Sequence, residues 1–142
     1  MPTSGEPEER LLDTSVAVAL LVSDHARHRA TMDALSGRRL GLAGHAAFET
    51  FSVLSRLPAP ARRTPAAIGR MMAANFPATR FLSTRATRSL LSRLAPAGIA
   101  GGSVYDALIG AVAAEHDLTL VTRDRRAVPT YRALDVRVEV LE

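Results

Sequence analysis

At 142 residues the chain has the length of one compact domain, since single hydrophobic cores run to about 100–150 residues. Hydrophobic residues make up 47% of it and aromatics only 4%, so the core is expected to be built from Ala, Leu, Val and Ile. Cysteine is absent, which excludes disulfides, thiol catalysis and cysteine-ligated zinc or iron–sulfur sites; all 18 basic residues are Arg, giving a net charge of +4 and excluding any mechanism that requires a lysine.

Residues Met1–Glu9 read as a flexible polar tail, and Glu6, Glu8 and Glu9 give it the wrong charge for a secretory leader. Arg10–Thr14 (RLLDT) suits a short buried strand that ends on an acid. Helices are expected over Ser15–Leu21 and Ala26–Leu35, broken near Ser23–Asp24 and stopped at Gly37. A second strand at Leu40–Ala43 leads into a helix over His45–Leu57, with Pro58 and Pro60 ending it. Pro65–Asn75 carries Pro in its first turn and reads as a helix. Thr79–Ser83 (TRFLS) is read as a third strand and Ala86–Leu94 as a helix, followed by the glycine-rich loop Gly98–Ser103. Ser103 is taken as the N-cap of a helix from Val104 to about Glu115. Leu118–Thr122 and Val136–Leu141 are read as fourth and fifth strands, with a short turn or helix over Arg125–Ala133 between them. Strands alternating with helices predict an α/β fold, a three-layer α/β/α sandwich on a parallel sheet, with residues 10–142 as one domain. The longest apolar runs, Val16–Val22 and Ala107–Ala114, fall short of the ~18 residues that suggest a membrane span, and a cytoplasmic protein is expected.

The seven Asp and seven Glu residues are not spread evenly over these elements. Asp13 closes the first strand, and Asp124 lies just past the fourth. Asp106 falls in the first turn of the helix after the glycine loop, and Glu49 falls early in the helix after the second strand. In an open parallel sheet, ligands bind beyond the carboxyl ends of the strands where strand order reverses, so all four acids are expected to converge on one edge. Like charges gathered in a partly desolvated pocket raise one another's pKa, and a hard divalent cation with oxygen ligands relieves that repulsion. Taken singly, each acid also has an ordinary role as a turn former, helix cap or solvated charge; their weight lies in joint placement. His25, His28, His45 and His116 lack metal-ligand spacing. No Gly-rich phosphate loop is present, and with so few aromatics none is expected to be exposed, which argues against a base-stacking platform.

These residues resemble the PIN-domain family, in particular the VapC-type ribonuclease toxins of bacterial toxin–antitoxin pairs. The matching stretches are LLDTSVAVALL at Leu11–Leu21, AAFETFSVLSRL at Ala46–Leu57, SVYDALIGAVAAEHDLTLVTRD at Ser103–Asp124 and VRVEVL at Val136–Leu141. They occur in the family's order, each of the first three carrying an acid, and cover essentially Arg10 to Leu141. The resemblance implies a parallel sheet ordered 3-2-1-4-5 and an endoribonuclease that uses Mg2+, for which Mn2+ substitutes. Asp13 and Asp106 match the magnesium ligands, Glu49 the family's helix glutamate, and Asp124 the last acid, a second-metal ligand or water orienter. Thr14, Ser15 and Thr122 match hydroxyls that support the acids. The implied partners are a small cognate antitoxin and structured RNA such as transfer-RNA or ribosomal-RNA loops, with a homodimer or toxin–antitoxin hetero-oligomer as the assembly. Arg123, Arg125 and Arg126 flank Asp124 and are candidate RNA-phosphate contacts. The competing reading is a catalytically inactive PIN-like module that binds RNA or protein; the presence of all four acids weighs against it. A response-regulator receiver and a haloacid-dehalogenase-like phosphatase are disfavoured by the absence of lysine.

Overall fold

A computed structural model describes residues 6–142. Of the expected N-terminal tail, residues 1–5 lie outside the described residues, and Glu9 already belongs to the first strand. In chain order the elements are β1 (Glu9–Leu12), α1 (Thr14–Leu21), α2 (His28–Leu35), β2 (Arg39–Leu42), α3 (His45–Ser55), α4 (Pro65–Asn75), α5 (Thr84–Arg93), α6 (Ser103–His116), β3 (Leu120–Thr122), a 3-10 turn (Arg125–Ala127), α7 (Val128–Ala133) and β4 (Val138–Val140). Glu9 pairs with Arg80 at 3.0 Å and Arg39 at 3.6 Å, ion pairs that tie the start of β1 to its neighbours.

The sheet is parallel throughout, in the order β2-β1-β3-β4. Successive residues of a strand face opposite sides of its sheet, and β1 buries both sides. Leu11 and Leu120 join Ala107, Ile109, Val112 and Tyr131 in one core, while Leu12 and Val121 join Val16, Ala17, Leu35 and Phe76 in the other. Helices α5, α6 and α7 therefore cover one face, with α1 and α2 on the other, and the three-layer α/β/α sandwich expected from the alternation of elements is present. The chain leaves β1 toward β2 on one side and returns to β3 on the other, so the order reverses beside β1.

Two local expectations are corrected. Thr79–Ser83 is not a strand: the segment forms a single parallel bridge, Ala43 to Arg80, beside the end of β2. Ala78 and Arg80 donate their N–H groups to Leu40 and Leu42, but the Leu42 N–H donates to the Thr79 hydroxyl at 3.0 Å rather than to a main-chain carbonyl. That side-chain substitution interrupts the ladder and leaves four strands among the described residues where five were expected. Ser103 is not a cap either; it is the first residue of α6, whose N-cap is Gly102 with no side-chain hydrogen bond.

Candidate active site

β1 and β3 lie side by side and deliver Asp13 and Asp124 just beyond their carboxyl ends. Asp13 is the N-cap of α1 and accepts from the Val16 N–H at 3.3 Å, while Asp124 caps the 3-10 turn and accepts from the Arg126 N–H at 3.1 Å. The capping role and the clustering of acids are thus compatible: one carboxylate does both. Asp106 enters from the first turn of α6. Glu49 is the fifth residue of α3, in its second turn, so the favourable field of a helix N-terminus, which fades beyond the first turn, reaches Asp106 but not Glu49.

These four acids, with Thr14, Ser15, Ile109, Arg126 and Tyr131, line one cleft of about 100 Å³. Asp13 forms its floor at 3% exposure and is held from four directions. Its Oδ1 accepts from the Ser15 hydroxyl at 2.5 Å and from Val16; its Oδ2 accepts from the Thr122 hydroxyl and from the Tyr131 hydroxyl at 3.0 Å. The two hydroxyls are themselves fixed by the backbone leaving β3, because the Arg123 N–H donates to Ser15 at 3.0 Å and the Asp124 N–H donates to Thr122 at 2.9 Å. Ser15 and Thr122 therefore bridge the tips of β1 and β3 through Asp13. Thr14 differs: its Oγ1 is buried beside the Glu49 carboxyl without a hydrogen bond in range.

The electrostatics follow from burial and crowding. Burial is the main cause raising the pKa of Asp13, and its four hydrogen bonds oppose that rise. Burial likewise raises Glu49, opposed by His45 and reinforced by the charges of Asp106 and Asp13. Asp106 is raised by burial, opposed by Arg126 and reinforced by Asp124 and Asp13. Arg126 makes contact with two of the acids, Asp124 at 3.0 Å and Asp106 at 4.0 Å. Its side chain, 71% exposed, lies at the edge of the cleft beside these two carboxylates.

Does this donor set fit a divalent cation? Among the described residues, no three His, Asp or Glu side chains form a ready-made metal cage. Magnesium does not need one, since it binds through one or two carboxylates and keeps several waters. The all-oxygen donors, the mutual repulsion of Asp13, Asp106 and Glu49, the unpartnered Thr14 hydroxyl and a guanidinium already drawn between two acids all fit a hard cation. Asp13 and Asp106 are the residues that would hold it.

Tyr131 is the member of the site that the sequence did not single out. It lies in α7, 1% exposed, and its ring fills space left by Gly110, where an added Cβ would stand 2.9 Å from the Tyr131 Cδ1. Burial and the Asp13 charge push its pKa upward, so the hydroxyl stays protonated and donates. The available signal was a tyrosine at helical spacing from the apolar Val128 and Leu134: a buried tyrosine hydroxyl needs a partner. One further reading is corrected. Exposed aromatics do exist: Phe48, Phe81 and Tyr105 are each more than half exposed, with Phe48 edge-on to Phe81 and Tyr105 stacked on His45. His45 in turn lies 3.6 Å from Glu49, so one of the scattered histidines reaches the rim of the site. Arg123 and Arg125 do not line the acidic cleft; both donate to Glu142.

The sequence matches the family model of the PIN domain over residues 10–132. It is 46% identical over 129 residues to Ribonuclease VapC27 of Mycobacterium tuberculosis, covering 91% of this chain and 94% of that protein. Ribonuclease VapC40 from the same species is 43% identical over 131 residues, covering 91% and 96%. Among solved structures, VapBC2 from Rickettsia felis, bound to a DNA fragment from their promoter, superposes with a TM-score of 0.68 at 16% identity, over 94% of this chain and 99% of that one.

Proposed function

The chain belongs to the PIN-domain family, with VapC ribonucleases among its relatives, and from that premise we propose that it is a divalent-metal-dependent endoribonuclease that acts as the toxin of a toxin–antitoxin pair. The observation that carries the reading is the cleft itself. Asp13 is anchored at its floor by four hydrogen bonds, and three further carboxylates from separate elements open onto it. No serine, cysteine or lysine nucleophile is needed, and the Ser15 hydroxyl is already committed to Asp13.

Asp13 and Asp106 would hold Mg2+ or Mn2+, which would supply charge neutralisation at the phosphate and a lowered pKa for attacking water. The protein's own contribution is orientation. Ser15, Thr122 and Tyr131 fix the plane of the Asp13 carboxylate, so its position is set before substrate arrives. Glu49 and Asp124, the two more exposed acids at 40% and 31%, would accept a proton or orient water. Hydrolysis in this sense leaves 5′-phosphate and 3′-hydroxyl ends. The antitoxin partner is supported by the VapC relatives, and a cleft of mixed character lined by Leu21, Asp24, Leu57, Arg63 and Met71, between the end of α1, the α3–α4 connection and α4, offers it a surface.

The test is cleavage of labelled structured RNA, with single-stranded and duplex DNA in parallel, in Mn2+ and in EDTA. Asp13→Asn and Asp106→Asn should each lower the rate at least about a hundredfold while leaving the melting curve cooperative, and EDTA should do the same to the wild type. Asn keeps the N-cap at position 13, so loss of fold is not the expected cause. Cleavage at the wild-type rate by either variant would overturn the reading.

A further inference from the structure

Beside the acidic cleft lies a second, larger concavity of about 650 Å³ whose character is the opposite. Thr14 and Ser15 line both, so the two share one lip. From there the groove runs between the α1–α2 turn, which supplies His25 and Arg27, and the segment after β3, which supplies Arg123 and Arg125. The backbone N–H of Arg27 donates to the His25 Nδ1 at 3.0 Å, which fixes the turn that presents both side chains. Arg27 and Arg123 line this one groove together. Cations brought together in this way gain from an anion placed between them. Glu142, the acid of the groove, already shows how oxygen is received there: its backbone carbonyl accepts from Arg123 at 2.6 Å and its carboxylate accepts from Arg125.

We propose that this groove is the track for the RNA backbone on one side of the cleavage point, its phosphates held between Arg27 and His25 on one wall and Arg123 and Arg125 on the other. The inference rests on the ribonuclease reading of the carboxylate cleft and adds to it where the flanking strand lies. It also divides the three arginines around Asp124: Arg123 and Arg125 serve the strand, while Arg126 stays with the acids. The contact is to phosphate and is therefore independent of base identity. Glu142 is displaced when RNA enters.

Binding of a fluorescent single-stranded RNA of about a dozen nucleotides, measured by anisotropy in EDTA across a salt series, tests the assignment without turnover. The double variant Arg27→Ala/Arg123→Ala should bind at least about tenfold more weakly, and the slope of log affinity against log salt should fall by about 0.7 for each phosphate no longer neutralised. The control Arg93→Ala/Arg132→Ala removes the same charge from helices packed on the opposite face of the sheet and should change affinity less than about twofold. Arg125→Ala, an exposed single substitution, covers the case in which the double variant fails to fold. In cleavage assays the groove variants should raise KM and keep kcat at saturating RNA, whereas Asp13→Asn should lower kcat and leave RNA binding intact. Equal losses in groove and control variants would overturn the proposal, as would unchanged binding in the double variant. So would a groove effect confined to an acidic peptide such as oligoglutamate, which would make it a protein-docking site. If Asp13→Asn cleaves normally while the groove variants still lose RNA, the hydrolytic reading fails and the groove stands.

Discussion

Asp13 has four hydrogen-bond donors for the roughly four lone-pair sites of a carboxylate. Three of those donors are hydroxyls, which can turn away when a cation approaches; the fourth is the capping N–H of α1. Tyr131 is the donor whose removal is cleanest to interpret, because Phe keeps the ring packed against Gly110. Tyr131→Phe should lower stability by about 2 kcal/mol, the usual worth of a buried hydrogen bond to a charged group, which is roughly 5 °C in melting temperature for a domain of this size. Saturating Mn2+ should narrow that gap, since the cation takes over the neutralisation that the hydroxyl had provided. A gap that stays constant or widens would mean that Tyr131 supports the fold and not the carboxylate. The acids were legible in the sequence because strand ends and first helical turns mark their positions. Tyr131 was not, because its meaning depends on α7 folding back across the sheet onto Asp13, a contact separated by 118 residues along the chain.

At the scale of elements, β1, β2, the helices flanking them and the approximate bounds of β3 and β4 followed from apolar runs punctuated by Gly, Pro and acids. The segment after α4 did not, and Gly41 shows why. A Cβ at Gly41 would lie 2.1 Å from the carbonyl carbon of Ala78, so the chain passes directly against β2 at that point. The approach is so close that backbone and the Thr79 side chain share the hydrogen bonding along β2, and a full ladder never forms. Periodicity in TRFLS carries the extended conformation but not the competition from a threonine hydroxyl. Gly41→Ala should consequently cost about 3 kcal/mol, the upper range for overpacking that backbone cannot relieve by a rotamer change. Urea denaturation at constant m-value measures it, and a loss within about 0.5 kcal/mol would show that the segment moves aside freely. The same substitution should reduce activity only in proportion to unfolded protein, because Gly41 pairs with Leu11, two residues before Asp13, and lines no part of the acidic cleft.

Across the whole molecule, two opposed electrostatic surfaces meet at Thr14 and Ser15: a cleft of acids and a groove of arginines in a chain of net charge +4. The acids have a consequence for stability. Asp13, Asp106 and Glu49 are all raised above their ordinary values of 3.8, 3.8 and 4.5. A raised carboxyl binds its proton more tightly in the folded state than in the unfolded chain, so below the ordinary value it leaves stability at its full level. As pH climbs from that value through the raised one, the folded state must give up a proton it holds well, and stability falls. In EDTA, the melting temperature of the wild type should therefore decline more steeply as pH rises above 3.8, the ordinary value of Asp13, than that of Asp13→Asn, which has one such group fewer. Mn2+ binds the ionised carboxylates of the folded state and stabilises it by mass action, so the rise in melting temperature on adding Mn2+ should grow over the same interval in the wild type. It should be small at every pH in Asp13→Asn. Parallel pH profiles for the two proteins in EDTA would mean that Asp13 carries no penalty for ionisation. An equal Mn2+ shift in both would separate the cation from Asp13 and remove the link between the burial of that carboxylate and the chemistry proposed for it.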